Sequence, residues 1–149
     1  MLLELHSRPF LPPDRQVIGE LDWSEVAALW DANELGALHD WLNLRWSRLI
    51  RNSVLGFSDP EAEFLQALAF ATLALYFTQN HNQEGALMMA DDAVVSLAKY
   101  MPRHMGVEVE PIVTTLKTLM PKLVGLAPDA ECPEWPFLMP KFRYHKNAP

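Results

Sequence analysis

Residues 39–46 read HDWLNLRW. This stretch is the one polar constellation in the chain whose residue types and spacing suit chemistry. On a helix, His39, Asn43 and Trp46 fall within about 60° of one another, with Leu35, Leu42 and Ile50 close beside them. An imidazole titrates near neutral pH and can serve as a general base or a metal ligand. An amide can orient that imidazole or bond a ligand, and an indole offers a flat apolar wall. Asp40 lies about 100° round the wheel and could approach from the flank. Gln66, on the helix expected next, could complete the set.

Placing His39 and Asn43 on a face that should be apolar has a cost. A buried polar side chain left without a partner loses on the order of 1–3 kcal/mol. The pair is therefore expected to be buried and hydrogen-bonded, either mutually or through a partner on the next helix, with helix packing as its main role. The competing readings are a small-molecule or peptide pocket and a metal or catalytic centre. Metal sites draw together several His, Cys or carboxylate groups. One His, one Asp and an amide are a poor set, so no metal and no cofactor are expected. The remaining histidines, His6, His81, His104 and His145, fall in arms, turns or tail, where solvated imidazoles are ordinary. The chain has no glycine-rich phosphate loop and no Gly-x-Ser-x-Gly elbow.

The elements that must position these residues are helical. Asp22 and Glu25 have capping-box spacing and open a short helix ending near Ala32, with Asn33 as its stop. A second helix runs from about 34 to 51, with Leu35, Leu38, Leu42, Trp46, Leu49 and Ile50 as its apolar stripe. Ser58 with Glu61, or Asp59 ahead of Pro60, starts a third helix to about Gln79. That helix is apolar nearly all round from Phe64 to Phe77, which predicts burial among other helices. Asn82 caps a fourth helix over 83–100, stopped by Pro102. A fifth begins near Glu110, and Pro121 is expected to kink or end it. Nothing alternates like strands. The predicted architecture is all-α: a single-domain antiparallel bundle of about five helices. An extended arm precedes it (1–21), the bundle spans 22–125, and a proline- and aromatic-rich tail (126–149) packs on it.

Composition narrows the function classes. The chain has 149 residues, half of them hydrophobic, and a formal net charge of −7. One domain with an ample core follows. The acidic balance disfavours nucleic-acid binding. No apolar run reaches membrane-span length, and the proline-interrupted N-terminus does not read as a secretion signal. Cys132 is the only cysteine, so no internal disulfide forms, and a cytoplasmic location is expected. Lys141, Arg143, His145 and Lys146 read as a solvated basic end, and Met88, Met89, Met101, Met105, Met120 and Met139 as scattered core filling.

HDWLNLRW resembles the His-Glu-x-Leu-Glu-x-x-Trp helix of the small all-helical bacterial and archaeal family grouped as domain of unknown function 309. The segment FLQALAFATLALYFTQNHNQEGALMMADDAV is similar to that family's second block, through Phe64, Leu65, Gln66, Tyr76, Asn82, Gly85 and Ala86. The resemblance covers roughly residues 26–120 and implies a helical bundle with no established activity. Asp40 and Asn43 stand where the family has glutamates, and Phe70 and Phe77 where polar residues are expected. A carboxylate-rich catalytic centre is therefore not carried over. The expected function is a non-enzymatic binding or interaction module, its partner a protein, a peptide or a small molecule, with a homo-oligomer also admissible. The alternative is a small hydrolase using His39 as base, oriented by Asp40 or Asn43.

Overall fold

The computed structural model describes residues 19–127, 130–132 and 139–145. Most of the predicted N-terminal arm, Trp135, Phe137, Leu138 and Lys146 lie outside them. Five α-helices make up the body: α1 (Trp23–Asp31), α2 (Leu35–Asn52), α3 (Pro60–Gln79), α4 (Gln83–Leu97) and α5 (Glu110–Val124). α3 packs between α2 and α4, α1 leans on α2, and α5 leans on α4.

Local chemistry explains each boundary. The Asp22 side chain accepts a hydrogen bond from the Ser24 N–H, starting α1. Glu25 does not reach back to complete a box; its carboxylate takes the Trp41 indole N–H at 2.6 Å. Asn33 adopts φ 59°, the left-handed stop its amide tolerates. Of the two candidate starts for α3, the structure uses Asp59, which accepts from the Ala62 N–H ahead of Pro60. α3 is buried along most of its length, and Thr72 and Thr78 satisfy their hydroxyls on carbonyls one turn back.

The Asn82–Gly85–Ala86 turn has a steric logic. The Asn82 side chain accepts from the Gly85 N–H at 3.0 Å. A Cβ at Gly85 would sit 2.8 Å from Asn82 Nδ2 and 3.0 Å from the Phe77 ring. Glycine here lets α3 and α4 close together.

Three expectations need correction. α4 ends at Leu97 and tightens into a 3₁₀ turn over Ala98–Tyr100. Pro121 does not end α5, which continues to Val124; the proline sits exposed in the last turn, where one lost N–H bond matters little. Strands do exist: β1 (Arg103–His104) pairs antiparallel with β2 (Val107–Glu108). Two residues per strand are too few to show alternation.

The described tail, residues 139–145, lies along α1 and this hairpin. Phe142 is 5% exposed, its ring 5.9 Å from Trp23 and 5.7 Å from Trp30. The Trp30 indole donates to the Pro140 carbonyl, and Asp31 accepts from the Phe142 N–H. Tyr144 bridges Val107, and the Glu108 and His145 N–H groups donate to the Arg143 and Gly106 carbonyls. The tail thus adds a third, irregular strand to the hairpin.

Candidate functional site

The groove between α2 and α3 gathers the predicted residues. His39, Asn43 and Trp46 come from α2; Gln66, Ala69, Phe70 and Leu73 come from α3. The space they enclose is about 90 Å³. Its floor is apolar, from Ala69, Phe70, Leu73 and the Trp46 ring, and its rim carries one imidazole and two amides.

The pair is not buried, which corrects the expectation of a core network. His39 retains 27% of its side-chain exposure, and Asn43 and Gln66 are exposed. The reason lies in the width of the helix face. The buried arc of α2 is Leu35, Leu38 and Leu42. Residues 39 and 43 sit on the shoulder of that arc, at the edge of the α2–α3 contact. Trp46, Leu49 and Ile50 are likewise half-buried rather than core. His39 Nδ1 lies 3.8 Å from Asp40 Oδ1, outside hydrogen-bond range, and the Asp40 side chain is 90% exposed. Among the described residues, no protein group hydrogen-bonds to the side chain of His39, Asn43 or Gln66.

A second recess lies across α3, between α3 and α4. It encloses about 120 Å³ and shares Gln66 and Phe70 with the first. Its other walls include Glu63, Ser96, Lys99 and Tyr100, and Lys99 Nζ is bonded to Glu63 at 3.1 Å. That bond, with the neighbouring Tyr100, holds the Lys99 ammonium above its ordinary pKa. At the α2 end, Val54, Leu55 and Phe57 stand exposed, at 101%, 56% and 73%. The Phe57 ring lies 6.0 Å from Trp46, so this apolar surface continues into the groove.

Two larger recesses lie beside α1. One, about 230 Å³, runs between Glu25 and the Trp41–Arg48 flank of α2; the other, about 410 Å³, is lined by Glu20, Leu21, Asp22, Trp23 and Tyr144. Sequence reasoning did not find them, because their residues come from separated segments with no shared period. Much of their polar surface is already engaged. Arg45 donates to Glu61 at 2.7 Å and to the Gly19 carbonyl, Glu25 holds Trp41, and Asp22 caps α1.

His104 also differs from expectation. It is a half-buried histidine: its ring packs edge-to-face on Phe64 at 4.8 Å and tilted against Tyr100 at 4.5 Å. Burial lowers its pKa. Among the described residues, no three His, Cys, Asp or Glu side chains converge on a common metal position, and no helix is long and apolar enough to cross a membrane.

Comparison of the chain with protein-family models, curated proteins and solved structures finds no match.

Proposed function

We propose that the protein is a binding module whose α2–α3 groove takes an apolar side chain from a protein or peptide partner. The observation that carries this reading is the combination of an apolar floor with rim groups whose side chains make no hydrogen bond among the described residues. An amide side chain offers two donors and an acceptor, the complement of a peptide backbone. Asn43 and Gln66 therefore suit a chain whose side chain drops between them.

Size favours a side chain over a metabolite. Small-molecule sites enclose roughly 300–1,000 Å³, and a cavity of about 150 Å³ holds one benzene. At about 90 Å³ and open on one side, this groove fits a leucine or valine. The exposed Val54, Leu55 and Phe57 extend the apolar surface that such a partner would cover.

The hydrolytic alternative, His39 as base with Asp40 or Asn43 orienting it, draws little from the same geometry. Asp40 lies 3.8 Å from the imidazole, outside hydrogen-bond range, and among the described residues no hydroxyl or thiol nucleophile lines the groove. Membership of the family of domain of unknown function 309 is part of the proposal. Its support is that two of the shared residues, Asn82 and Gly85, meet in one close contact at the α3–α4 turn.

The test is an NMR titration of the full chain with N-acetyl-leucine methylamide. Shifts concentrated at residues 39–46 and 66–73 are expected. A titration to solubility that moves no groove resonance would reject the reading.

A further inference from the structure

α2 has a second open face, apart from the groove. Asp40, Leu44 and Arg48 follow one another at four-residue steps, so they form one ridge on the helix surface. Asp40 and Leu44 are each turned about 100° from His39 and Asn43, their neighbours at the groove. Leu44 is 51% exposed and stands near the middle of the 18-residue helix. A lone exposed leucine is ordinary. Here its two neighbours on the ridge carry opposite charges at equal distances, about 6 Å along the axis on either side.

Both charges remain available to a partner. The Asp40 side chain is 90% exposed, and His39 Nδ1 lies 3.8 Å away, outside hydrogen-bond range. A neutral imidazole at that distance leaves the carboxylate its charge. Arg48 lines the recess of about 230 Å³ beside α1, together with Leu44, Trp41 and Arg45. Most polar groups there are engaged: Arg45 is bonded to Glu61 and the Gly19 carbonyl, Glu25 holds Trp41, and Asp22 caps α1. Arg48 makes no ion pair and no side-chain hydrogen bond among the described residues.

A ridge ordered acid, apolar, base is complementary to its own reverse. A two-fold axis through Leu44 sets that leucine against the second copy's Leu44 and brings each Asp40 to the other copy's Arg48. Rows of four-residue spacing are the ones that interdigitate when two helices cross at about −50°, with axes about 8–10 Å apart. The recess walled by Leu44 and Trp41 exceeds the roughly 150 Å³ that holds one benzene, so it has room for the second copy's Leu44 side chain. A uniformly basic partner is repelled by Arg48 and a uniformly acidic one by Asp40; a reversed copy satisfies both. We propose that the protein pairs with a second copy of itself across α2, through Leu44 on the axis and two Asp40–Arg48 ion pairs.

The contact is confined to one helix crossing, so it falls below the roughly 1,200 Å² of standard interfaces and the dimer is weak. The test is sedimentation equilibrium of the full chain in low salt at about pH 8, where an imidazole is neutral. Concentrations run from about 1 μM to 1 mM, the span over which weak complexes dissociate. The wild-type mass is expected to rise from 17.0 kDa toward twice that value. Asp40→Arg and Arg48→Asp should each weaken the dimer at least about tenfold, because attractive pairs become repulsive. An equimolar mixture of these two variants should recover wild-type affinity, because in the mixed dimer every charge again meets its opposite. Leu44→Glu, which sets two carboxylates together on the axis, should abolish assembly. Circular dichroism and thermal midpoints confirm that the variants fold. A wild-type chain still monomeric at about 1 mM overturns the inference. So does a mixture that associates no more tightly than either variant alone, or a Leu44→Glu chain that assembles like the wild type. None of these results bears on the α2–α3 groove, which the leucine-amide titration tests separately.

Discussion

Replacing Phe142 by alanine tests whether the C-terminal strap is part of the core. The ring is 5% exposed and touches Trp23, Trp30 and Tyr144 at centroid distances of 5.9, 5.7 and 6.3 Å. Truncating a buried phenylalanine costs about 3–5 kcal/mol. The strap sits at the edge of the bundle, where neighbours can partly collapse into the void, so the lower end, about 3 kcal/mol, is expected. For a domain of this size each kcal/mol moves the midpoint by roughly 2–4 °C. The thermal midpoint should therefore fall by about 6–12 °C. Far-ultraviolet circular dichroism at low temperature should be unchanged, because Phe142 lies outside every helix. Tryptophan fluorescence should shift, because Trp23 and Trp30 lose the ring between them. Phe142→Leu, which keeps most of the volume, should cost less than about 1.5 kcal/mol. A loss below about 1 kcal/mol for the alanine variant would show that the strap merely rests on the surface.

Other outcomes follow from the same geometry. His39→Ala and Asn43→Ala should each change stability by less than about 0.5 kcal/mol in urea unfolding, since both side chains are at least partly solvated and unbonded; a cost above 1 kcal/mol would restore the buried pair. Gly85→Ala should destabilise by about 1 kcal/mol, despite the helix propensity gained, because its Cβ meets the Asn82 cap at 2.8 Å and the Phe77 ring at 3.0 Å; unchanged chemical denaturation would refute the close approach. Burial lowers the His104 pKa, and Arg103 lowers that of Glu108. For both groups the unfolded chain binds the proton more readily, so the stability they contribute is present above the unfolded pKa and lost as pH falls below it. His104→Phe should flatten the fall in thermal midpoint between about pH 7.5 and 5.5; an identical fall in the variant would remove His104 from that account.

The helices were legible because their signals are local and repeated. Asp59–Pro60, Asn33 and Asn82 mark boundaries by side-chain chemistry alone, and α3's lack of a wet face correctly placed it between neighbours. The hairpin was not legible, since two paired residues per strand give no period and its third partner comes from the distant Tyr144. The packing of His104 was missed for a similar reason: Phe64 and His104 are far apart in sequence and meet only through the fold. For the candidate site, helical spacing found which residues share a groove. It could not find how deep they lie, because a wheel gives angle and says nothing of how far the neighbouring helix covers each face. His39 and Asn43 sit on that margin, and a shift of one shoulder position separates a core network from an open rim.

The α2–α3 groove is proposed above as a binding site for an apolar side chain. The most direct measurement is the N-acetyl-leucine methylamide titration run in parallel on the wild-type chain and on Asn43→Trp. Saturable shifts are expected at His39, Asn43, Gln66 and Leu73 in the wild type. None is expected at those positions in the variant, with the two thermal midpoints within about 2 °C, as a surface change of under roughly 0.5 kcal/mol requires. Equal shifts in both proteins, or shifts confined to the recesses beside α1, would contradict it.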